Sequence, residues 1–246
     1  GGPEVWRGVV TDRPETRIED RLTTLAHIEA VYDRFVEPED LACDRGCPAC
    51  CTRNVTLTTL EALRIADQLA DGLPPDGFAR IAAAREKRRF QPRTTGNGIA
   101  AACLSGGEVP AEDDADPAWG PCPLLTDNEC PIYPVRPFGC RCFVSTVRCG
   151  SAGHAEVPPF VVTVNNVFLQ YIEHIDAGGG TGNLTDLLTC FESERVRTAY
   201  REGTLRPLPE PLVPNRPVPA LMIPPRHRAR IRPILEALAA PLTDSL

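Results

Sequence analysis

The stretch "CDRGCPACC", residues 43–51, places four cysteines in nine positions, and the last two, Cys50 and Cys51, are adjacent. Neighbouring Cα atoms lie about 3.8 Å apart, whereas disulfides usually span about 4.4–6.8 Å. The pair is therefore poorly placed to bridge itself, and its thiols must face another group. A second block, "CPLLTDNECPIYPVRPFGCRCF" at residues 122–143, adds Cys122, Cys130, Cys140 and Cys142, and Cys149 follows. Soft thiolates select zinc, copper(I) or iron–sulfur clusters. A structural zinc takes four ligands, usually in paired C-x2–4-C spacing. Eight thiols exceed one zinc. They would fill two zinc sites, or serve one 4Fe–4S cluster and leave several over. Three thiols bunched over eight residues with a distant fourth favour cluster ligation over a zinc ribbon. The expected metal ligands are Cys43, Cys47, Cys50, Cys51, Cys122, Cys130, Cys140, Cys142 and Cys149.

Composition supports a metal rather than a disulfide framework. Eleven cysteines in 246 residues is about 4–5%, below the roughly 8–10% of a disulfide scaffold. The number is odd, and a chain of this length does not need staples to fold. Hydrophobic residues make up 42%, enough for a sizeable core. The formal charge of −7 argues against nucleic acid or an anionic membrane as the main partner. No apolar run approaches the roughly 18–20 residues that span a bilayer. No basic start followed by an apolar stretch marks a leader, so the expected location is the cytoplasm.

Arginines sit in and around both blocks: Arg45, Arg53, Arg136, Arg141 and Arg148. They are either ordinary surface charge, or they offset thiolate charge and lower cysteine pKa values, or they bind an anionic group. Among the histidines, His154 follows Cys149 in a glycine-flanked loop and is the best-placed ligand candidate. His27 and His174 read as packed or surface residues of helices, and His227, between arginines, as solvated. Cys103 and Cys190 read as small buried hydrophobes. The glycine-rich "GGGTGN", residues 178–183, reads as a helix-to-helix turn, with an anion cradle as the alternative. No Ser–His–Asp or paired-carboxylate arrangement stands out.

The elements that must position these residues are mostly helices. Apolar residues Ile18, Leu22, Leu25, Ile28, Tyr32 and Phe35 recur at helical steps and predict a helix over 16–35. A second helix should start with a capping box made by Thr58 and Glu61 and stop at Gly72. A third is predicted from Pro75 or Asp76 to Phe90. Residues 92–120, with glycines, prolines and an acidic run, read as a long loop. The second cysteine block holds too many prolines for helix and reads as short extended pieces and turns. Helices are predicted over 159–176, over 183–202 (opened by Asn183 or Thr185 and ended by Gly203) and over 226–240. The proline-rich segment 206–225 reads as an extended arm on the helical body, with Leu212, Val213, Val218 and Leu221 as its apolar contacts. The expected fold is mainly α: one helical domain over 1–246 around a cysteine-rich, loop-dominated metal-binding core at 43–143.

With "CDRGCPACC", "CPLL" and "CPIYPVRPFGCR", the chain resembles the YkgJ-type cysteine cluster proteins, also described as a zinc- or iron-chelating domain. The resemblance covers about residues 43–143. It carries over to Cys43, Cys47, Cys50, Cys51, Cys122, Cys130 and Cys140, and to Tyr133, Arg136, Pro137 and Arg141. This chain departs from it by adding Cys142, Cys149, Cys103 and Cys190. The family includes flagellin lysine N-methylases linked to an iron–sulfur cluster. The resemblance thus implies a cluster with Arg136 and Arg141 beside it. It also raises an enzyme acting on a peptide, protein or small molecule, either a methyltransferase-like enzyme or an oxidoreductase, with S-adenosylmethionine as a further cofactor. Cys43-x3-Cys47-x2-Cys50 is also the spacing of radical S-adenosylmethionine enzymes. Those usually carry an aromatic before the third cysteine and a βα-barrel, whereas this chain has Ala49 and no βα alternation. The leading reading is one or two cysteine-ligated iron–sulfur clusters, 4Fe–4S favoured. The alternative is a zinc-binding structural or interaction module without catalysis.

Overall fold

The computed structural model describes residues 17–37, 39–70 and 76–240. The predicted helix start at residue 16, the stop at Gly72 and the alternative start at Pro75 lie outside the described residues. The fold is mainly α. Helix α1 spans Ile18–Val36, α2 Thr59–Ala70, α3 Gly77–Arg85, α4 Gly96–Ser105, α5 Phe138–Arg141, α6 Cys149–Ala152, α7 Pro159–Ile175, α8 Leu184–Phe191, α9 Glu194–Arg201 and α10 Arg228–Ala239. Three short strands, β1 Thr56–Thr58, β2 Gly180–Asn183 and β3 Val213–Pro214, form an antiparallel sheet in the order β1-β2-β3. The register pairs Thr56 with Asn183 and Gly180 with Pro214.

Local chemistry explains the main starts and stops. The Thr58–Glu61 capping box forms as predicted. The Thr58 backbone N–H donates to Glu61 Oε2 at 2.8 Å, and the Glu61 N–H donates to Thr58 Oγ1 at 3.3 Å. Asn183 opens α8 by accepting from the Thr185 N–H at 2.9 Å. The single helix predicted over 183–202 is instead two, α8 and α9, parted at extended Ser193. The Arg197 side chain donates at 2.8 Å to the carbonyls of Phe191 and Glu192, satisfying groups that the break leaves open. Helix α3 ends at Arg85, short of Phe90. Beyond it, Arg89 bonds Asp186 at 2.6 Å and the Phe90 N–H bonds Asn54 at 3.0 Å, which draws the chain off the helical path.

Two stretches read from sequence as irregular are ordered elements. Within the expected loop 92–120 lies α4. Thr95 caps it by accepting from the Gly98 N–H at 3.0 Å. Glu173 of α7 accepts from the N–H groups of Gly96 and Asn97, both at 2.7 Å. A carboxylate from a distant helix thus fits the positive end of α4 and offsets its glycines. The last four residues of "GGGTGN", Gly180–Asn183, are strand β2, entered through a turn at Gly178 and Gly179, so the stretch is not a simple helix-to-helix turn. A methyl at Gly180 would stand 3.2 Å from the Val213 carbonyl and from Leu208, so the missing side chain lets the arm approach.

One cluster of buried side chains joins the elements, from Ile18 and Leu25 through Leu60, Leu63, Val164 and Phe168 to Ile231 and Leu235. The arm runs along it, with Leu212, Leu221 and Ile223 packed against the cluster. Its backbone is tied to α7, where Gln170 accepts from the Met222 N–H and donates to the Ala220 carbonyl, both at 2.9 Å. Among the described residues no helix is long and apolar enough to cross a membrane.

Candidate metal centre

The second cysteine block is anchored to the helical body through α5. Phe138 is fully buried. Its ring meets Tyr32 of α1 edge-on at 4.8 Å and stacks on Phe168 of α7 at 5.7 Å. Its N–H donates to Glu61 Oε1 at 2.6 Å, so one buried carboxylate caps α2 and holds the start of α5. Tyr32 donates to Asn165 at 2.7 Å, and Asn165 donates to the Cys142 carbonyl at 3.1 Å. At Gly139, α5 presses backbone to backbone on β1, where a Cβ would stand 2.6 Å from the Thr56 carbonyl oxygen. Gly139→Ala must push two backbones apart. It should cost about 1–3 kcal/mol, read by urea unfolding, and a fully stable variant would contradict this packing.

Arg141, between Cys140 and Cys142, is buried and committed to carboxylates of α1. It reaches Asp33 at 2.7 Å and Glu29 at 3.4 Å, and Glu29 also takes Arg64 at 2.6 Å. Its charge therefore ties the cysteine block to α1. Arg136 lies 4.1 Å over the Tyr133 ring and donates to the Tyr133 carbonyl at 2.9 Å, and Arg45 lies 5.3 Å from the same ring. Arg148 pairs with Asp44 at 2.8 Å.

Two seams of hydrogen bonds stitch the cysteine blocks together. At one, the Cys122 N–H donates to the Cys51 carbonyl at 2.8 Å, Thr52 bridges Pro121, and the Arg53 N–H donates to Gly120 at 3.1 Å. At the other, the Ala42 N–H donates to the Ser145 carbonyl at 2.8 Å. There the Cys43 thiol faces the carbonyls of Phe143 and Ser145 at 4.0 and 3.9 Å. Between the seams the chain turns at Gly46, whose φ of +86° suits a residue without a Cβ. Within the second block, the Thr126–Glu129 bridge closes over Asp127 and Asn128, both at positive φ.

Cys43, Cys47 and Cys50 are exposed, whereas Cys51, Cys122, Cys130, Cys140, Cys142 and Cys149 are half-buried. A hydrogen bond between the Cys50 and Cys51 thiols pulls Cys51 below its ordinary pKa and pushes Cys50 up. Burial pushes Cys122 up to about 11 and Cys142 up to about 12. Burial also raises Cys140 well above the usual thiol range, and charge on Cys122 and Cys130 adds to it. Cys43 is exposed as a residue, but the partial burial of its sulfur raises it, and charge on Cys149, Cys50 and Cys47 raises it further. Positive charge on Arg136 lowers Cys130 against its burial, and Arg80 of α3 does the same at Cys122. Arg80 went unnoticed in the sequence. It reaches this block, 3.1 Å from Thr126, only because α3 folds back on it.

Other candidates lie elsewhere. His154 is exposed and contacts the Ala152 carbonyl at 2.9 Å and Glu156 at 3.3 Å. His27 contacts the Ala237 carbonyl at 3.1 Å, and buried His174 accepts from the Val218 N–H at 3.2 Å. His227 is not simply solvated, since it contacts Thr163 at 2.8 Å and meets the Phe160 ring edge-on. Cys190 is half-buried against the core, but Cys103 is exposed on α4, contrary to its reading as a buried hydrophobe.

Among the described residues no three Cys, His, Asp or Glu side chains already converge on one point. The two seams nonetheless join cysteine-bearing segments far apart in sequence, and each cysteine needs only its single χ1 torsion to re-aim its sulfur. The donor set fits a soft metal. Residues 42–160 match the family model CxxCxxCC, described as "Putative zinc- or iron-chelating domain". Residues 42–160, just under half of the chain, are similar to that family. The match runs from the Ala42–Ser145 seam past Cys149 to the first turn of α7, further than the motifs at 43–143 reach. No curated protein and no solved structure matches the chain.

Proposed function

We propose that the region similar to the CxxCxxCC family holds iron–sulfur, with 4Fe–4S favoured, and that the exposed side of the centre serves chemistry on a peptide, protein or small molecule. The observation that supports this reading is the pairing of an all-thiol donor set with three exposed members, Cys43, Cys47 and Cys50. An iron–sulfur cluster bound there would supply electron transfer or, at an iron with an open position, a Lewis acid. The chain's own residues hold the ligands: Phe138, Glu61 and Arg141 fix α5, and the two seams fix the loop 43–51. A zinc reading has its own support. The thiols of Cys122, Cys130 and Cys140 pack against the core, as in a closed structural zinc site.

Iron, zinc and acid-labile sulfide in protein purified without oxygen separate the two readings. Iron and sulfide in equal amounts with broad visible absorption support the cluster; colourless protein carrying zinc alone overturns it. The raised thiol pKa values set the direction of the pH dependence. Cys122 and Cys142, pushed up to about 11 and about 12, are neutral near pH 7. A metal at Cys122 must therefore displace a proton. Proton competition fades only as pH rises towards the raised values. Zinc affinity of the metal-free chain should accordingly rise steadily between pH 6 and pH 9, with protons released on binding. A pH-independent affinity would contradict neutral thiols.

A further inference from the structure

We propose that the chain holds two metal centres side by side. One takes Cys43, Cys47, Cys50 and Cys149, and the other takes Cys51, Cys122, Cys130 and Cys140. The Cys50–Cys51 peptide divides them. The inference rests on the metal-binding reading above but not on which metal is bound.

The two seams carry the argument. They lie at opposite ends of the nine-residue stretch and recruit different parts of the later chain. The seam at Ala42–Ser145, with Arg148 paired to Asp44 at 2.8 Å, brings the loop bearing Cys149 to Cys43. The seam at Cys51–Cys122 brings the start of the second block to Cys51. The turn at Gly46 and Pro48 separates the two ends.

Packing against the core follows the division: Cys122, Cys130 and Cys140 pack on the hydrophobic cluster, whereas Cys43, Cys47 and Cys50 are exposed and Cys149 is half-buried. Each group of four contributes an all-thiolate set of the size that a tetrahedral metal or a four-iron cluster takes. Cys142 falls outside both. It packs on the same cluster, but its thiol turns to the Gly139 carbonyl at 3.6 Å.

The test uses the full chain, made metal-free and reloaded with cadmium-113. Wild type should show two cadmium resonances in the all-thiolate range and bind two equivalents. The double variant Cys43→Ala/Cys149→Ala should lose one resonance, and Cys122→Ala/Cys140→Ala should lose the other. Cys142→Ala should keep both. One wild-type resonance, or loss of both centres in either double variant, overturns the division. The wild-type spectrum decides even if a variant fails to fold. The cadmium count is indifferent to the native metal. Two resonances from a chain isolated with zinc would sink the iron–sulfur reading and leave the division standing. A single resonance from a chain isolated with iron and sulfide would do the reverse.

Discussion

Removing the metal should open the loops around Arg45 and Arg148 to trypsin while the helical body stays intact. Both arginines are exposed, with side-chain exposures of 68% and 69%, so folding alone does not hide them. Their segments have little regular structure, since α6 is four residues long and residues 43–51 contain no helix or strand. Metal–thiolate bonds to Cys43, Cys47, Cys50 and Cys149 would supply the missing restraint. In small zinc domains such bonds contribute about 10–16 kcal/mol. Even a third of that would slow cleavage through local opening by more than about a hundredfold. Arg141 has the same chemistry for trypsin but is buried and bonded to Asp33 and Glu29. It should remain uncut, as should α1, which carries Arg21 and Arg34. Equal cleavage rates with and without metal, or early cutting at Arg141, would rule out this division between metal-ordered loops and a core-anchored α5.

Asp176→Ala should cost about 3–5 kcal/mol of folding stability, because it leaves a buried cation without its partner. Asp176 is fully buried and accepts from five groups on four separate elements. Arg21 of α1 reaches it at 2.6 Å, Thr59 and the Leu60 N–H of α2 at 2.6 and 3.3 Å, and Asn215 of the arm at 2.9 Å. Tyr200 of α9 is the fifth. Burial raises the pKa of this carboxyl, and Arg21 opposes the rise. Tyr200→Phe removes a single donor and should cost about 0.5–1.5 kcal/mol. Urea unfolding of the metal-loaded chain measures both. An Asp176→Ala loss no larger than that of Tyr200→Phe would show that the network is not the junction its geometry describes.

What could be read from the sequence was local. The Thr58–Glu61 box, the Asn183 cap and the periodicity of Ile18, Leu25, Ile28 and Tyr32 each depend on residues within one or two turns. Helix α4 was hidden because its first turn contains Gly96 and Gly98, and the group that stabilises it, Glu173, is supplied by α7. Strand β2 was hidden for a related reason: its glycines suit close approach by β3 and the arm, and that partner is distant in sequence. At the metal centre, residue types and spacing named the thiols. Their grouping depends on the Cys122–Cys51 and Ala42–Ser145 hydrogen bonds, which no spacing rule encodes. Glu29, Asp33 and Arg80 left no sequence signal, since each acts on the cysteine block only across a tertiary contact.

The seam between Cys51 and Cys122 also sets an order of events during synthesis. Ribosomes add about 5–20 residues per second, so the roughly 70 positions separating these cysteines take about 4–14 s to appear. Throughout that interval the nascent chain carries Cys43, Cys47, Cys50 and Cys51 with none of the second block's thiols made. Phe138, which anchors α5, and Phe168, on which it stacks, are made later still. Four early thiols must therefore wait, open to oxidants and stray metal ions, until the second half of the chain is made. A cell expressing this protein under oxidative stress should accumulate damage first at residues 43–51, in chains that never reach their fold.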